Sequence, residues 1–304
     1  MAEEAFRSLY VHLRHHARTG EERRRGALAH LTPERVAAAA AEVRHGRTVS
    51  LAAPIETRPG PDDPQPAAHV VTAPSERETG APGLHFALDR FAMNVHGDAH
   101  THLDALCHVV FDGRLYGGIA ETALRTGGAR GITLDLVRAG IVGRGVLLDV
   151  PRLRGLPWLE PGDCVGAEDL TAAEEAQGVR TGPGDLLLVR VGHRRRRRET
   201  GAWDVAHARA GLHPEAVRFL ADRHVAVLGS DGNNDTAPSP VAGVAFPVHV
   251  LAVHALGMHL LDYLDLEELA HLCAELGRWQ FLCAVAPLRL PAATGSPVNP
   301  IAVL

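Results

Sequence analysis

The chain has 304 residues, 46% of them hydrophobic and 22% charged, with a formal net charge of −5. That balance belongs to a folded globular protein with a sizeable core, and it excludes a disordered tail, a collagen-like chain and a disulfide-stapled mini-protein. All 31 basic residues are Arg, which excludes a P-loop lysine, a lysine Schiff base and a lysine general base. The acidic balance also argues against nucleic-acid binding through a basic face.

The first thirty residues are charged and rich in Arg and His, and they are expected to form a loose arm or an exchanged oligomer contact (1–30) ahead of one domain (31–304). Thr32-Pro33-Glu34 is a helix start: a capping hydroxyl, Pro at the first helical position, then an acid near the positive end of the dipole. That helix is expected to reach Gly46, and Arg47 to Ile55 reads as a strand. Residues 56–83, rich in Pro, Gly and Asp, form a long loop over the surface or a site. Apolar runs of buried-strand type follow at Val146 to Val150, Asp185 to Val191 and His224 to Gly229. Helices are expected between and after them, from Asp169 to Gln177, from Pro214 to Asp222, and from Asp265 with Glu268 completing a capping box, up to Gly277. This alternation indicates an α/β protein with a buried mixed sheet.

The Arg run Arg194 to Arg198 reads as a solvated loop, because like charges repel and extend, with an anion or partner contact as the alternative. The most apolar window, Val241 to Leu261, contains Pro247, His249, His254 and His259, so it is a core or site segment and no membrane span. Cys107, Cys164, Cys273 and Cys283 form no CxxC pair, and the opening Met-Ala-Glu-Glu is not a signal peptide, so a reduced cytoplasmic setting is expected.

The most informative segment is His96-Gly-Asp98-Ala-His100-Thr-His102-Leu-Asp104-Ala-Leu-Cys-His108. Four of the chain's 19 His fall in these thirteen positions. Positions 96, 98, 100, 102, 104 and 108 are all His or Asp, and the odd positions between them are mostly small or apolar. In an extended strand that parity lines one face with imidazoles and carboxylates. Burying such a row is costly, and a metal ion removes the cost because both groups are ligands for zinc and its neighbours. Competing catalytic templates are absent: there is no HExxH, no GxSxG, and Gly143-Arg-Gly145 precedes an apolar run where a dinucleotide fingerprint would follow one.

The segment Asp98-Ala-His100-Thr-His102-Leu-Asp104-Ala-Leu106-Cys-His108 lies without gaps on the signature HxGTHxDxPxH. It resembles the metal-dependent cyclase family of kynurenine formamidase and isatin hydrolase type, in a long-chain branch with a THLDALCH motif. His102, Asp104 and His108 match directly, whereas Asp98, His100 and Leu106 replace the signature His, Gly and Pro. Asp185-Leu-Leu-Leu-Val-Arg, Gly211-Leu-His-Pro-Glu, Gly229-Ser-Asp231-Gly-Asn-Asn-Asp235 and Thr294-Gly-Ser-Pro-Val-Asn-Pro300 also look like family segments.

The resemblance implies a single α/β domain of the swivelling β/β/α type, a mixed sheet or partial barrel flanked by helices. It implies a divalent metal, zinc or manganese, held by His102, Asp104 and a third ligand. That ligand is Asp98 by alignment, or His100 or His96 by strand parity. His249 and Asp262 resemble the more distant ligands, and His254 and His259 are read as structural. Asp231 and Asp235 follow a buried strand, where α/β sites collect, and are equally plain turn residues. The implied activity is hydrolysis of an amide, lactam or ester of a small molecule by metal-activated water, with His108 as proton shuttle. The alternative is cyclisation or dehydration of a biosynthetic intermediate through a stabilised enolate. A homodimer or homotetramer is implied, with neither nucleic acid nor membrane as partner.

Overall fold

Short runs of Val and Leu, buried on both faces, favour parallel strands covered by helices, and four of them form the centre of a nine-stranded sheet. The computed structural model describes residues 1–16, 20–72 and 83–304. The sheet strands are β1 (Thr48–Ser50), β2 (His102–Asp104), β3 (Ile141–Asp149), β4 (Leu186–Arg190), β5 (Val227–Ser230), β6 (His259–Asp262), β7 (Gln280–Val285), β8 (Gly295–Pro297) and β9 (Ile301–Val303). Their spatial order is β1-β9-β7-β3-β4-β5-β6-β2-β8. Strands β3 to β6 run parallel, and every other pairing is antiparallel. Beyond β1 the chain bridges to the far end of β6, with Ala52 opposite Leu264, so the sheet curls into an open half-barrel. This is the single α/β domain with a mixed sheet that the sequence indicates.

The N-terminal segment is not a loose arm. Helix α1 (Glu3–His16) buries Phe6, Leu9 and Leu13, a one-sided stripe at helical spacing, against the π-helical turn Val250–Leu256. Helix α2 (Pro33–Ala39) begins as expected, with Thr32 Oγ1 accepting from the Arg35 N–H at 3.4 Å. It stops short of Gly46, because a 3-10 turn over Ala40–Glu42 leads into extended Val43. Helix α3 (Ala167–Gln177) ends at left-handed Gly178.

The Arg run is helix α4 (His193–Thr200), not a solvated loop. Its charges are answered one by one: Arg195 pairs with Glu199, Arg196 with Glu160, Arg197 with Asp62 and Glu56, and Arg198 with Asp265. Arg194 is buried and donates to the carbonyls of Ala99 (2.9 Å), Tyr263 (2.5 Å) and Leu264 (3.2 Å). Helix α5 (Ala216–Asp222) precedes β5, and α6 (Glu267–Leu276) ends at Gly277. No capping box forms at α6, since the Asp265 carboxylate accepts from the Glu267 N–H instead. Part of the Pro-rich loop is an exposed hairpin of Ala68–Thr72 with Leu88–Ala92, and its residues 73–82 lie outside the described residues. Among the described residues no helix is long and apolar enough to cross a membrane.

Candidate metal centre

The strand expected across residues 96–108 is only three residues long, and 96–101 form turns leading into it. The alternation therefore acts where it is needed most. His102 and Asp104 share one face of β2, while Leu103 is buried on the other. In the antiparallel pairing with β6, Asp262 lies directly opposite His102, which brings a second carboxylate to the same face.

His96 reaches the site from the turn. Its Nδ1 is 2.8 Å from Asp104 Oδ1 and its Nε2 is 3.0 Å from Thr294 Oγ1. Gly295 on β8 makes room for it, since a Cβ there would stand 2.5 Å from His96 Cε1 and 2.7 Å from the Leu103 carbonyl oxygen. His102 Nε2 is 3.6 Å from Asp104 Oδ1. From the opposite side, His249 Nε2 is 3.4 Å from both Asp104 Oδ2 and Asp262 Oδ2. Two sets of groups able to hold an ion result, His96/His102/Asp104 and Asp104/His249/Asp262, with Asp104 common to both.

Of the other residues expected here, Asp98 and His100 belong to neither set. Asp98 lies on the wall of the adjoining cavity and accepts a 2.7 Å hydrogen bond from the Tyr263 hydroxyl. His100 is turned away, with its Nε2 3.4 Å from Asp63 Oδ2 and 3.2 Å from the Glu56 backbone N. The turn geometry of 96–101 breaks the period of two that put them on the site's face. His108 stacks on His96 with ring centroids 3.7 Å apart, and its Nε2 is 4.0 Å from Asp104 Oδ1. His254 takes the structural position expected of it, between the Tyr10 hydroxyl and the Arg114 carbonyl. His259 Nδ1–H donates to the Asp104 carbonyl at 2.8 Å and so anchors β2.

The two turn aspartates divide. Asp231 accepts from the backbone N–H groups of Val191 and Gly192 and holds the start of α4. Asp235 accepts from the backbone N–H groups of Val248 and His249 and from His249 Nδ1 at 2.5 Å. It fixes His249 with Nε2 facing the carboxylates. Asn233 and Asn234, which lie in the family-like segment Gly229 to Asp235 but were not singled out as site residues, donate to Asp262 at 3.1 and 2.5 Å. Their sequence signals are their place directly after a buried strand and within that family-like segment.

Burial opposes charge on Asp104, yet the imidazoles of His108, His249, His96 and His102 hold its carboxyl well below the usual carboxylate range. Burial raises Asp262, against the pull of His249. Burial also works against charge on His249, but Asp262, Asp104 and Asp235 outweigh it and hold the imidazole well above its ordinary value. Burial lowers His108 to about 4. His96, His102, His108, His249 and Asp262 floor a cavity of about 490 Å³, whose other lining includes the apolar Val109, Val110, Phe111, Val244, Phe246 and Val250.

Residues 49–234, more than half of the chain, match the sequence profile of the family described as "Putative cyclase". The chain belongs to this cyclase family. A solved structure described as a novel cyclase is 32% identical, with a TM-score of 0.83, covering 94% of this chain and 95% of the other. More distant structures share the fold. An isatin hydrolase with a bound product analogue, thioisatinate, is 18% identical with a TM-score of 0.59, covering 87% of this chain and 94% of its own. Isatin hydrolase A from Labrenzia aggregata is 21% identical with a TM-score of 0.59, covering 84% and 93%. No curated protein matches the chain.

Proposed function

We propose that this cyclase-family protein is a metal-dependent hydrolase acting on the amide, lactam or ester carbonyl of a small molecule. The observation that carries the reading is Asp104: buried, shared by two ligand sets, and with an Oδ2 that accepts no hydrogen bond among the described residues although His249 Nε2 stands 3.4 Å away. Two buried carboxylates side by side, one of them short of a donor, are costly, and a divalent cation among three imidazoles and two carboxylates removes that cost. His96, His102 and Asp104 would hold one ion, and Asp104, His249 and Asp262 a second. The nitrogen and carboxylate set suits zinc or manganese. Such an ion polarises a substrate carbonyl and acidifies water.

The chain's own residues supply the rest. His108 stands in the cavity wall and is held neutral by burial. It takes up a proton as water adds to the carbonyl and delivers it to the departing nitrogen or oxygen. Asp235 orients His249, while Asn233 and Asn234 hold Asp262 in place. The apolar wall excludes bulk water and receives an aromatic or aliphatic substrate body. Isatin is a lactam, and the shared fold of the isatin hydrolases puts lactams and N-acyl arylamines first in a substrate panel.

The test is elemental analysis of the purified protein and of a His102→Ala, Asp104→Ala double variant, followed by turnover of the panel in ¹⁸O-labelled water. About one or two equivalents of zinc or manganese, lost in the double variant, with label entering the product carboxylate, is the expected result. No metal after reconstitution would overturn the reading. Turnover that cyclises or dehydrates the substrate without taking up label would replace hydrolysis by the enolate chemistry.

A further inference from the structure

The cavity wall carries one acid that neither ligand set uses. Asp98 is half-buried, and its Oδ1 accepts from the Tyr263 hydroxyl at 2.7 Å. Tyr263 is held unusually hard for this purpose. It is fully buried, and its backbone sits at φ 55°, a left-handed conformation that a bulky residue rarely adopts. Its N–H donates to the Gly232 carbonyl at 2.8 Å, and its own carbonyl accepts from Thr101 Oγ1 at 2.6 Å and from Arg194 at 2.5 Å. Burial, aided by the Asp98 charge, pushes the phenol well above its ordinary value, so it remains a donor to Asp98.

No other hydrogen bond among the described residues engages the Asp98 carboxylate, which lines the cavity through residues that include no Arg. The nearby Arg209 is fully buried and does not line the cavity; its Nε donates to the Asp235 carbonyl and its Nη1 to the carbonyls of Val205 and Ala206. It lies over the Phe246 ring, 5.1 Å from its centroid. Beside the metal-binding and proton-carrying groups the cavity therefore presents one further oriented carboxylate next to apolar side chains, and no Arg lines it to receive a substrate carboxylate.

We propose that Asp98 is a specificity-determining residue: it selects substrates bearing a cationic or multiply N–H-bearing nitrogen group, such as an ammonium or amidinium, away from the reacting carbonyl. Tyr263 is its positioning residue. A charge-assisted hydrogen bond in a partly dehydrated wall favours such ligands over neutral isosteres by roughly tenfold or more. The inference rests on the hydrolase reading for the word substrate, but its test needs no turnover.

The experiment measures calorimetric binding of three planar isosteres, benzamidinium, benzamide and benzoate, to the metal-loaded protein and to Asp98→Asn and Tyr263→Phe. Benzamidinium, a poor metal ligand, is expected to bind at least about tenfold tighter than benzamide. That preference should vanish in Asp98→Asn and shrink without vanishing in Tyr263→Phe, which keeps the carboxylate but removes the hydroxyl that orients it. Equal affinities in the wild type, failure of benzamidinium to bind, or a preference that survives Asp98→Asn would each overturn the proposal. Binding that follows the expected pattern in a protein that hydrolyses nothing would leave this inference standing and remove the hydrolase.

Discussion

His249 can offer Nε2 to an ion only while its other nitrogen keeps its proton, and Asp235 is what holds that proton in place. In Asp235→Asn the amide retains one acceptor, so one of the three N–H groups now served by two carboxylate oxygens would face an N–H. Metal affinity is expected to fall by about 10–100-fold, read by competition with a chromophoric chelator; an unchanged affinity would remove His249 from the site. His108 has a different task, and His108→Asn separates the two. Turnover is expected to fall by about 10²–10⁴-fold, with metal content by elemental analysis unchanged. If metal leaves with the activity, His108 is a ligand and not the proton carrier.

At the scale of elements, legibility in the sequence followed the length over which a pattern is enforced. His102 and Asp104 were readable because β2 truly alternates there, and the apolar β4 and β5 runs because both of their faces are buried. The choice among His96, Asp98 and His100 was not readable, since it depends on turns at 96–101 and on the gap at Gly295, far along the chain. Helix α1 was missed for the opposite reason: three buried side chains in fourteen residues leave its composition that of a solvated arm. Its anchoring is testable. Leu9 is 1% exposed in the contact with Val250–Leu256, the turn that continues directly from His249. Leu9→Ala is expected to cost about 2–5 kcal/mol in urea unfolding, and a cost below roughly 1 kcal/mol would return the segment to an arm.

For the whole molecule, the mixed α/β class was evident from alternation. The sheet's curling into a partial barrel is implied by the family resemblance and not by that alternation, because the pieces that close it, β9 and the residues beyond β1, are too short to show a pattern of their own. The fold also stores two opposed protonation preferences side by side at the start of α4. His193 is buried between Trp203 and Tyr263, with ring centroids 4.8 and 5.4 Å away. Burial, reinforced by Arg194, Arg197, Arg196 and Arg209, holds the imidazole well below its ordinary value. The unfolded chain therefore binds a proton there that the fold refuses, so this group's contribution is present above about pH 6.5 and is lost as pH falls below it. Asp231, accepting from Val191 and Gly192 next to it, is raised by burial to about 7. The fold thus holds a proton that the unfolded chain releases between about pH 4 and 7, and this contribution grows as pH falls. The two slopes are opposite and largely cancel in the wild type from about pH 4 to 6.5. Single variants separate them. His193→Asn should gain on the wild type by up to about 1.4 kcal/mol for each pH unit below about 6.5, and Asp231→Asn should lose ground by a similar slope below about 7. Urea unfolding at pH 5.0 and 7.5 reads both differences. Parallel responses of the two variants, or none, would show that neither group is held as its surroundings dictate.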